Sequence, residues 1–208
     1  MAGRELDWKF TEEFVSERED IALLRQHAAE LGIDAVSPAI GAQLEFVAAA
    51  THPDSIVELG TGLGVSALWL MTGAPEASFT SIDSEADYQQ VAKAALIEAG
   101  VPANRVRLIT GDTSQVLPRM NDASYDLVFI DAAPESVIEN VEHGIRLAKT
   151  GATILVAHAL WRGKVADPAQ REEPVGAFRS LLTMLAESAA VTAALSPIGD
   201  GLLQLVKR

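Results

Sequence analysis

From residue 55 onward, short apolar runs alternate with stretches of helical spacing, and this alternation constrains the fold more than any other feature of the chain. Strands that are apolar throughout and separated by helices are typical of a parallel sheet covered on both faces, which right-handed crossovers make doubly wound. We therefore predict an α/β fold. Its strands are expected at residues 55–59, 78–82, 106–110, 127–130 and 152–157. Its helices are expected at residues 65–71, 85–98, 114–120 and 134–149.

Both ends of the chain add elements to this pattern. Residues 191–195 and 202–206 are predicted strands, and the short connection between them requires an antiparallel pair. The sheet is therefore expected to be mostly parallel and seven-stranded, with an antiparallel strand near the C-terminus. At the other end, residues 11–31 have the spacing of an amphipathic helix. We expect one domain over residues 1–208, with residues 1–35 as an N-terminal helical appendage.

Charge and cysteine content exclude several classes of function. The 208 residues carry 29 acidic and 16 basic side chains, which give a formal net charge of −13 at pH 7. Such a surface repels phosphate backbones, so we expect no nucleic-acid partner. The chain has no cysteine, so any metal would have to be bound by oxygen or imidazole ligands. No run reaches the ~18 apolar residues that a membrane span needs, and we expect a cytoplasmic protein without membrane contact.

A glycine-rich turn follows the first predicted strand, at Gly60, Gly62 and Gly64. A strand, a glycine turn and a helix in this order are typical of the ligand crevice at the carboxyl end of a parallel sheet. The dinucleotide-binding pattern needs the spacing G-x-G-x-x-G, which this turn lacks, and Glu58 lies where a pyrophosphate would approach. The sequence therefore disfavours a nicotinamide-dependent oxidoreductase and favours a ligand with a positive group.

Carboxylates lie at or near the ends of four predicted parallel strands. They are Glu58, Asp83, Asp112 and Asp131. A carboxylate at the position of Asp83, roughly 20 residues after the first glycine, can accept both hydroxyls of a ribose. Four acids at one sheet edge suit a cationic nucleoside and are unfavourable for a phosphate. The alternative for each acid is a cap on the helix that follows it.

Four motifs together resemble the successive motifs of a known family. The motifs are Glu58-Leu59-Gly60-Thr61-Gly62-Leu63-Gly64-Val65-Ser66, Ser81-Ile82-Asp83, Gly111-Asp112 and Phe129-Ile130-Asp131. They resemble those of class I S-adenosylmethionine-dependent methyltransferases, and more narrowly the small-molecule O-methyltransferases related to catechol and caffeoyl-CoA O-methyltransferase. The resemblance runs from about Val36 to the C-terminus. It implies a Rossmann-like methyltransferase fold, S-adenosylmethionine as the cofactor and a homodimer.

The resemblance also implies which residues surround the methionine part of the cofactor. Around the glycine turn, the residues next to the methionine part would be Glu58, Gly60, Thr61 and Gly64. The carboxylate of the methionine part would be held by Ser66 and by the backbone near Val36, since a helix N-terminus offers free amides to an anion.

The nucleoside part of the cofactor has its own implied contacts. Asp83 would bind the ribose, and Asp112 and Thr113 would border the adenine. Asp131 would lie near the sulfonium and the incoming substrate. The charge argument from the residues and the resemblance therefore point to the same cofactor.

The chain departs from the family at the metal site. Metal-dependent members hold a divalent cation with an acid at the position of Asp131 and an Asp-Asn pair at the end of the next strand, where this chain has Ala157 and His158. These members also have a lysine that is thought to deprotonate the substrate, and this chain has Pro134 in its place. Magnesium takes oxygen ligands in octahedral geometry, so we expect no family-type metal site.

His158 is the predicted catalytic base. Methyl transfer is an in-line displacement, so the protein must align the nucleophile and help to remove its proton. His158 ends the fifth predicted strand, and Asp131 on the adjacent strand is expected to orient its ring and raise its pKa. The alternatives for His158 are a structural hydrogen bond to the backbone and partial ligation of a softer metal such as zinc.

These observations predict an S-adenosylmethionine-dependent O-methyltransferase that acts on a hydroxyl of a small molecule. The alternatives are a methyltransferase acting on nitrogen or on a macromolecule, and a cofactor-binding module that has lost catalysis. We expect Trp161, in the loop after the fifth strand, to wall the acceptor pocket. The N-terminal helix has no partner in the minimal fold, which favours a homodimer.

Overall fold

The computed structural model describes residues 2–208, with side chains from residue 6 onward. Its helices are α1 (Ala2–Phe14), α2 (Glu19–Glu30), α3 (Pro38–Thr51), α4 (Val65–Gly73), α5 (Ala86–Glu98), α6 (Thr113–Val116), α7 (Val137–Leu147) and α8 (Glu173–Ala186). Its strands are β1 (Ser55–Leu59), β2 (Ser78–Asp83), β3 (Val106–Thr110), β4 (Tyr125–Ile130), β5 (Ala148–Val156), β6 (Val191–Ser196) and β7 (Leu202–Lys207). Single 3-10 turns occur at Ala103–Arg105, Leu117–Arg119, Pro134–Ser136 and Lys164–Ala166.

The seven strands form one sheet in the order β3-β2-β1-β4-β5-β7-β6. Strands β1 to β5 are parallel, and β7 runs antiparallel to both of its neighbours, which confirms the predicted fold class. Leu59 pairs with Ile82 on one side and with Ile130 on the other, so three carboxyl ends finish at one level. The strand order reverses between β1 and β4, which is where open α/β sheets bind their ligands.

Both faces of the sheet are covered, because the central strands are apolar throughout. Ile56 and Phe79 pack into the cluster that contains residues of α3 and α4. Val57 and Val128 point to the opposite face and pack with Phe178 and other residues of α7 and α8. Since successive side chains of a strand point to opposite faces, each apolar run contributes to both layers of the core.

The N-terminal region differs from its prediction. Residues 11–31 were expected to form one helix, but the chain breaks between α1 and α2. Helix α1 contacts α3, whereas α2 contacts α4 and buries Ile21 and Ala28 completely. The change of direction is stabilised by ion pairs around the break, since Arg25 reaches back to Glu17 at 2.6 Å. Helix α2 thus contributes two side chains to the core. The single domain over residues 1–208 and the appendage over residues 1–35 stay predictions, and residue 1 lies outside the described part.

Strand β5 begins four residues before its predicted start at residue 152. The polar residues that open it are paired with β4: Ala148 lies opposite Tyr125, and Lys149 Nζ donates to Asp126 Oδ1 at 2.8 Å. The first residues of β5 are not apolar, so the hydrophobic pattern did not predict them as strand. The ion pair that stabilises them crosses to another strand and can be recognised only when the two strands are aligned. None of the helices in residues 2–208 combines the length and apolar character that a bilayer crossing needs.

Candidate active site

The glycine turn brings β1 and β4 into close contact at the sheet edge. Gly60 has φ of 93°, and a Cβ built there would lie 2.0 Å from the carbonyl oxygen of Asp131. Gly64 also has φ of 93°, and its Cβ would lie 2.9 Å from Cβ of Ala92 on α5. Any side chain at either position would push two elements apart, so these glycines set the shape of the crevice.

Two cavities lie side by side at the carboxyl ends of the parallel strands. The first has a volume of about 150 Å³, and the predicted residues in its lining are Val36, Gly60, Thr61, Ser66, Asp83 and Asp131. The second has a volume of about 220 Å³, and the predicted residues in its lining are Gly60, Asp83, Asp112, Thr113 and Asp131. The structure thus brings together eight of the ten predicted cofactor residues in two cavities that share Gly60, Asp83 and Asp131.

Glu58 and Gly64 line neither cavity. The carboxyl of Glu58 is completely buried and accepts hydrogen bonds from the hydroxyls of Ser66 and Ser81, each at 2.6 Å. Burial raises the pKa of Glu58 to about 8, against the lowering effect of the two serines. Burial of this kind favours the neutral form of the carboxyl, and the contact of Glu58 with the cofactor stays a prediction.

Thr61 and Gln89 continue the hydrogen bonds beneath the crevice. The hydroxyl of Thr61 lies 2.7 Å from that of Ser81, and Gln89 Nε2 donates to Thr61 Oγ1 at 3.3 Å. Gln89 also accepts from the hydroxyl of Thr110 at 2.8 Å, so these bonds connect the glycine turn to α5 and β3. Sequence reasoning missed Gln89, because a single polar residue in a helix carries no signal of a buried partner.

Asp83 is held rigidly at the junction of the cavities. Its Oδ2 accepts from the backbone amide of Gly62 and its Oδ1 accepts from the amide of Glu85, both at 2.9 Å. A carboxylate fixed by two amides keeps one orientation, and each oxygen retains a lone pair for a further donor. This arrangement agrees with the predicted position of Asp83 at the sheet edge.

Asp112 both caps the helix that follows it and lines the site, although the sequence analysis treated these as alternatives. It caps α6, because its Oδ1 accepts from the amide of Ser114 at 2.8 Å and from the Ser114 hydroxyl at 2.6 Å. These bonds lower the pKa of Asp112. The same residue also lines the second cavity beside Thr113, so capping and a place in the site occur together.

His158 lies between two carboxylates. Its Nε2 is 3.2 Å from Asp131 Oδ1, and its Nδ1 is 3.2 Å from Asp200 Oδ2. The contact with Asp131 was predicted. Asp200 was missed, because in the sequence it was assigned to the turn between the last two strands, and only the position of β7 beside β5 brings that turn to His158.

The two carboxylates affect the charge of His158, and its role as a base stays a prediction. Burial opposes the charge, but the hydrogen bonds to Asp131 and Asp200 outweigh burial and raise the pKa of His158 to about 10. At neutral pH the ring is an imidazolium that donates from both nitrogens, and it has no lone pair with which to accept a proton. His158 would have to release one of these protons before it could act as the predicted base.

The residues around Asp131 do not fit a magnesium ion. Asp131 supplies a carboxylate, Ala157 supplies only a methyl group, and both nitrogens of His158 are engaged with acids. A hard cation needs several oxygen ligands, and an imidazolium repels it. Among residues 6–208, whose side chains are described, no group of three or more histidine or acidic side chains could hold a metal ion.

The loop after β5, which contains Trp161 and Arg162, lies beside these residues and is held by contacts with Phe178 and Asp34. His158, Trp161 and Arg162 have φ of 57°, 44° and 55°, in the left-handed region that such residues seldom adopt. The ring of Trp161 packs against Phe178, with 5.7 Å between the centroids. Arg162 forms an ion pair at 2.5 Å with Asp34, which lines the first cavity. Trp161 lines neither cavity, so its predicted contact with an acceptor stays a prediction.

Fold and site define a class of protein: a doubly wound α/β protein whose ligand crevice lies at the reversal of strand order, beside a glycine turn. Comparison with known proteins identifies the family within that class. A model of the O-methyltransferase family matches residues 12–208. The chain therefore belongs to the O-methyltransferase family and is an enzyme of the transferase class.

Relatives and solved structures agree with this assignment. A protein of Mycobacterium sp. (strain JLS) is 43% identical over 92% of this chain and 88% of its own length, and one of Mycolicibacterium vanbaalenii is 44% identical over 92% and 85%. Both have O-methyltransferase in their names. The crystal structure of the O-methyltransferase TomG from Streptomyces achromogenes, in complex with SAM, is 28% identical with a TM-score of 0.84, covering 98% of this chain and 96% of its own. Cofactor-bound Rv0187 from MTB is 30% identical with a TM-score of 0.83 and the same coverage.

Proposed function

We propose that this enzyme transfers the methyl group of S-adenosylmethionine to a hydroxyl of a small molecule, without the magnesium site of its metal-dependent relatives. The observation that carries the proposal is the pair of adjoining cavities at the reversal of strand order, which share Gly60, Asp83 and Asp131. The TomG structure, which resembles this chain over nearly its whole length, was solved with SAM.

S-adenosylmethionine is the methyl donor, and the two cavities divide its parts between them. The first cavity takes the methionine portion, with Ser66 and the backbone of Val36 near its carboxylate. The second takes the adenine beside Asp112 and Thr113. Asp83 lines both cavities and is oriented by backbone amides, which suits a carboxylate that accepts hydrogen bonds from the two ribose hydroxyls.

Asp131 is the acid that faces the reacting groups. When bound, the cofactor supplies a methyl group on a sulfonium, which is an excellent leaving group. Asp131 lines both cavities, and its carboxylate complements a positive charge at their junction. It also can accept the hydrogen bond of an acceptor hydroxyl and hold the oxygen in line with the methyl group. As the bond between oxygen and methyl carbon forms and the sulfonium–methyl bond breaks, the carboxylate of Asp131 takes the hydroxyl proton, and S-adenosylhomocysteine is left. His158 holds Asp131 in place and supplies a positive charge beside it.

Binding of S-adenosylhomocysteine, measured by calorimetry with NAD as the comparison, tests the cofactor assignment. We expect binding of S-adenosylhomocysteine and none of NAD, and the absence of binding by the former would refute the proposal.

Turnover of a panel of catechols and hydroxycinnamates, with and without EDTA, tests the chemistry. We expect methylation that is insensitive to EDTA and is lost in His158→Ala, because that variant leaves Asp131 and Asp200 without the cation between them. A strict magnesium requirement would contradict the proposed metal-free site. Binding of the cofactor without turnover of any amine, protein or hydroxyl acceptor would instead favour the module that has lost catalysis.

The homodimer is also part of this proposal. Leu6, Phe10 and Phe14 follow one another at spacings of four on α1, and each is at least 68% exposed. Phe46 on α3, the helix that α1 contacts, is 67% exposed. Apolar side chains grouped in this way are typical of protein interfaces, and a second copy of the chain presents a matching surface. The cytoplasmic location stays a prediction.

A further inference from the structure

Asp200 is the least expected of the groups around His158. It lies in the turn between β6 and β7, and it lines neither of the two cofactor cavities. One oxygen of its carboxylate contacts His158 Nδ1 at 3.2 Å, and the other accepts a hydrogen bond from the backbone amide of Arg162. Asp200 therefore touches the imidazolium on the side away from Asp131.

The main chain holds the loop after β5 independently of the Asp200 side chain. The amide of Ala159 donates to the carbonyl of Gly201, and the amide of Leu160 donates to the carbonyl of Asp200, both at 3.0 Å. Gly201 fits closely, since a Cβ there would lie 2.5 Å from Leu160 Cγ. These two main-chain bonds hold the loop in addition to the bond that one oxygen of the Asp200 carboxylate accepts from Arg162, and the other carboxylate oxygen is left for His158.

We propose that Asp200 is a positioning residue of the methyl-transfer site, which holds the His158 ring so that its opposite nitrogen stays directed at Asp131. Asp200 acts through His158 and touches neither cofactor nor acceptor. This inference rests on the proposed function, because the role given to Asp200 is to keep His158 directed at Asp131, the acid that faces the reacting groups. A histidine with a single partner can rotate about its side-chain bonds, whereas one held at both nitrogens has one orientation.

The charged groups around His158 support separate roles for Asp131, which faces the reacting groups, and Asp200, which orients the ring. Asp131 comes from the end of β4, Asp200 from the β6–β7 turn and Asp34 from the segment between α2 and α3, where it is paired with Arg162. Asp200 and Asp131 are the two acids in direct contact with the ring. Asp200 is the one of these two that lines no cavity, so its contribution can be removed while the cofactor site is left intact.

The test is Asp200→Asn, which keeps the size of the side chain and removes its charge. We expect kcat with the best acceptor of the phenol panel to fall by about ten- to a hundredfold, since small misplacements at a reacting centre have effects of this order. The dissociation constant of S-adenosylhomocysteine should change by less than about twofold, because Asp200 lines neither cavity. The matched control is Glu172→Gln, which removes an acid paired with Lys164 of the neighbouring segment and should leave kcat unchanged.

A second measurement does not depend on turnover. The ring of His158 is followed by NMR, with its signals assigned by their loss in His158→Ala. In Asp200→Asn we expect its titration midpoint to fall by about one unit or more, as expected on loss of a neighbouring carboxylate. Glu172→Gln should leave it unchanged.

An unchanged titration midpoint of the His158 ring in Asp200→Asn would overturn the inference, and so would a kcat equal to that of the wild type. If S-adenosylhomocysteine does not bind, or if no acceptor is methylated, the proposed function fails on its own test. The contact between Asp200 and His158 is then still judged by the NMR titration, so the two failures are distinguishable.

Discussion

At the scale of single residues, the surroundings of an acid decide what it does, although four acids occupy similar places at the ends of strands. Glu58 is buried with two serine hydroxyls and holds a proton. Asp83 is fixed by two backbone amides, and Asp112 caps a short helix. Asp131 is paired with an imidazolium. Similar positions in sequence therefore produce one neutral, two structurally anchored and one ion-paired acid.

Glu58→Gln should remove a pH dependence from the free energy of unfolding. The pKa of Glu58 is about 8 in the folded protein against an ordinary value of 4.5. Between these pH values the folded state keeps a proton that the unfolded state has lost, so stability falls as pH rises from ~4.5 to ~8. We expect urea unfolding at about pH 5 and about pH 6.5 to show a smaller decrease in the variant than in the wild type.

Glu98→Gln is the control for this measurement, because Glu98 is exposed on α5. It should retain the slope of the wild type. His158 also makes the free energy of unfolding depend on pH, but mainly between its ordinary pKa of 6.5 and its raised pKa of about 10, where stability is lost as pH rises. The comparison of about pH 5 with about pH 6.5 therefore reports mainly on Glu58. Equal slopes in Glu58→Gln and wild type would mean that Glu58 is ionised in the folded protein.

At the scale of elements, the crevice depends on how closely the glycine turn approaches the end of β4 on one side and α5 on the other. Gly60 is the point of closest approach, because its missing side chain leaves room for the carbonyl of Asp131. The ends of the elements depend on partners elsewhere in the chain, as the polar start of β5 shows through Lys149 and Asp126. The break between α1 and α2 likewise follows from packing on two different helices, α3 and α4.

Gly60→Ala should abolish cofactor binding, and Gly100→Ala provides a matched control. Both glycines have φ above 90°, so alanine at either position costs about 1–2 kcal/mol of stability. A Cβ at Gly100 meets no atom within 4 Å, whereas one at Gly60 collides with the main chain at 2.0 Å. Calorimetry should detect S-adenosylhomocysteine binding by Gly100→Ala and none by Gly60→Ala, and urea unfolding should show the larger loss in Gly60→Ala. Equal binding by the two variants would show that the approach of β1 to β4 is unimportant for the site.

At the scale of the whole molecule, the proposed homodimer rests on the exposed apolar side chains of α1. We expect the wild type to have the mass of a dimer in light scattering, and Phe10→Glu combined with Phe14→Glu to have the mass of a monomer, because two buried charges at an interface lack partners. Ile97→Glu adds a charge at another exposed apolar position, on α5, and should remain dimeric. A monomeric wild type would refute the proposed homodimer.

The alternation of apolar runs, the glycine turn and the strand-end acids were sufficient to predict the sheet, its parallel core and the edge at which the site lies. These features are local, because burial on both faces and a tight turn each impose a pattern on neighbouring residues. The proton on Glu58, the break after α1 and the partner of His158 could not be predicted in this way. Each depends on residues far apart in the chain, and Asp200 meets His158 only because β7 is inserted beside β5. Proximity of this kind sets charge and hydrogen bonding, and it places His158 between two acids that raise its pKa.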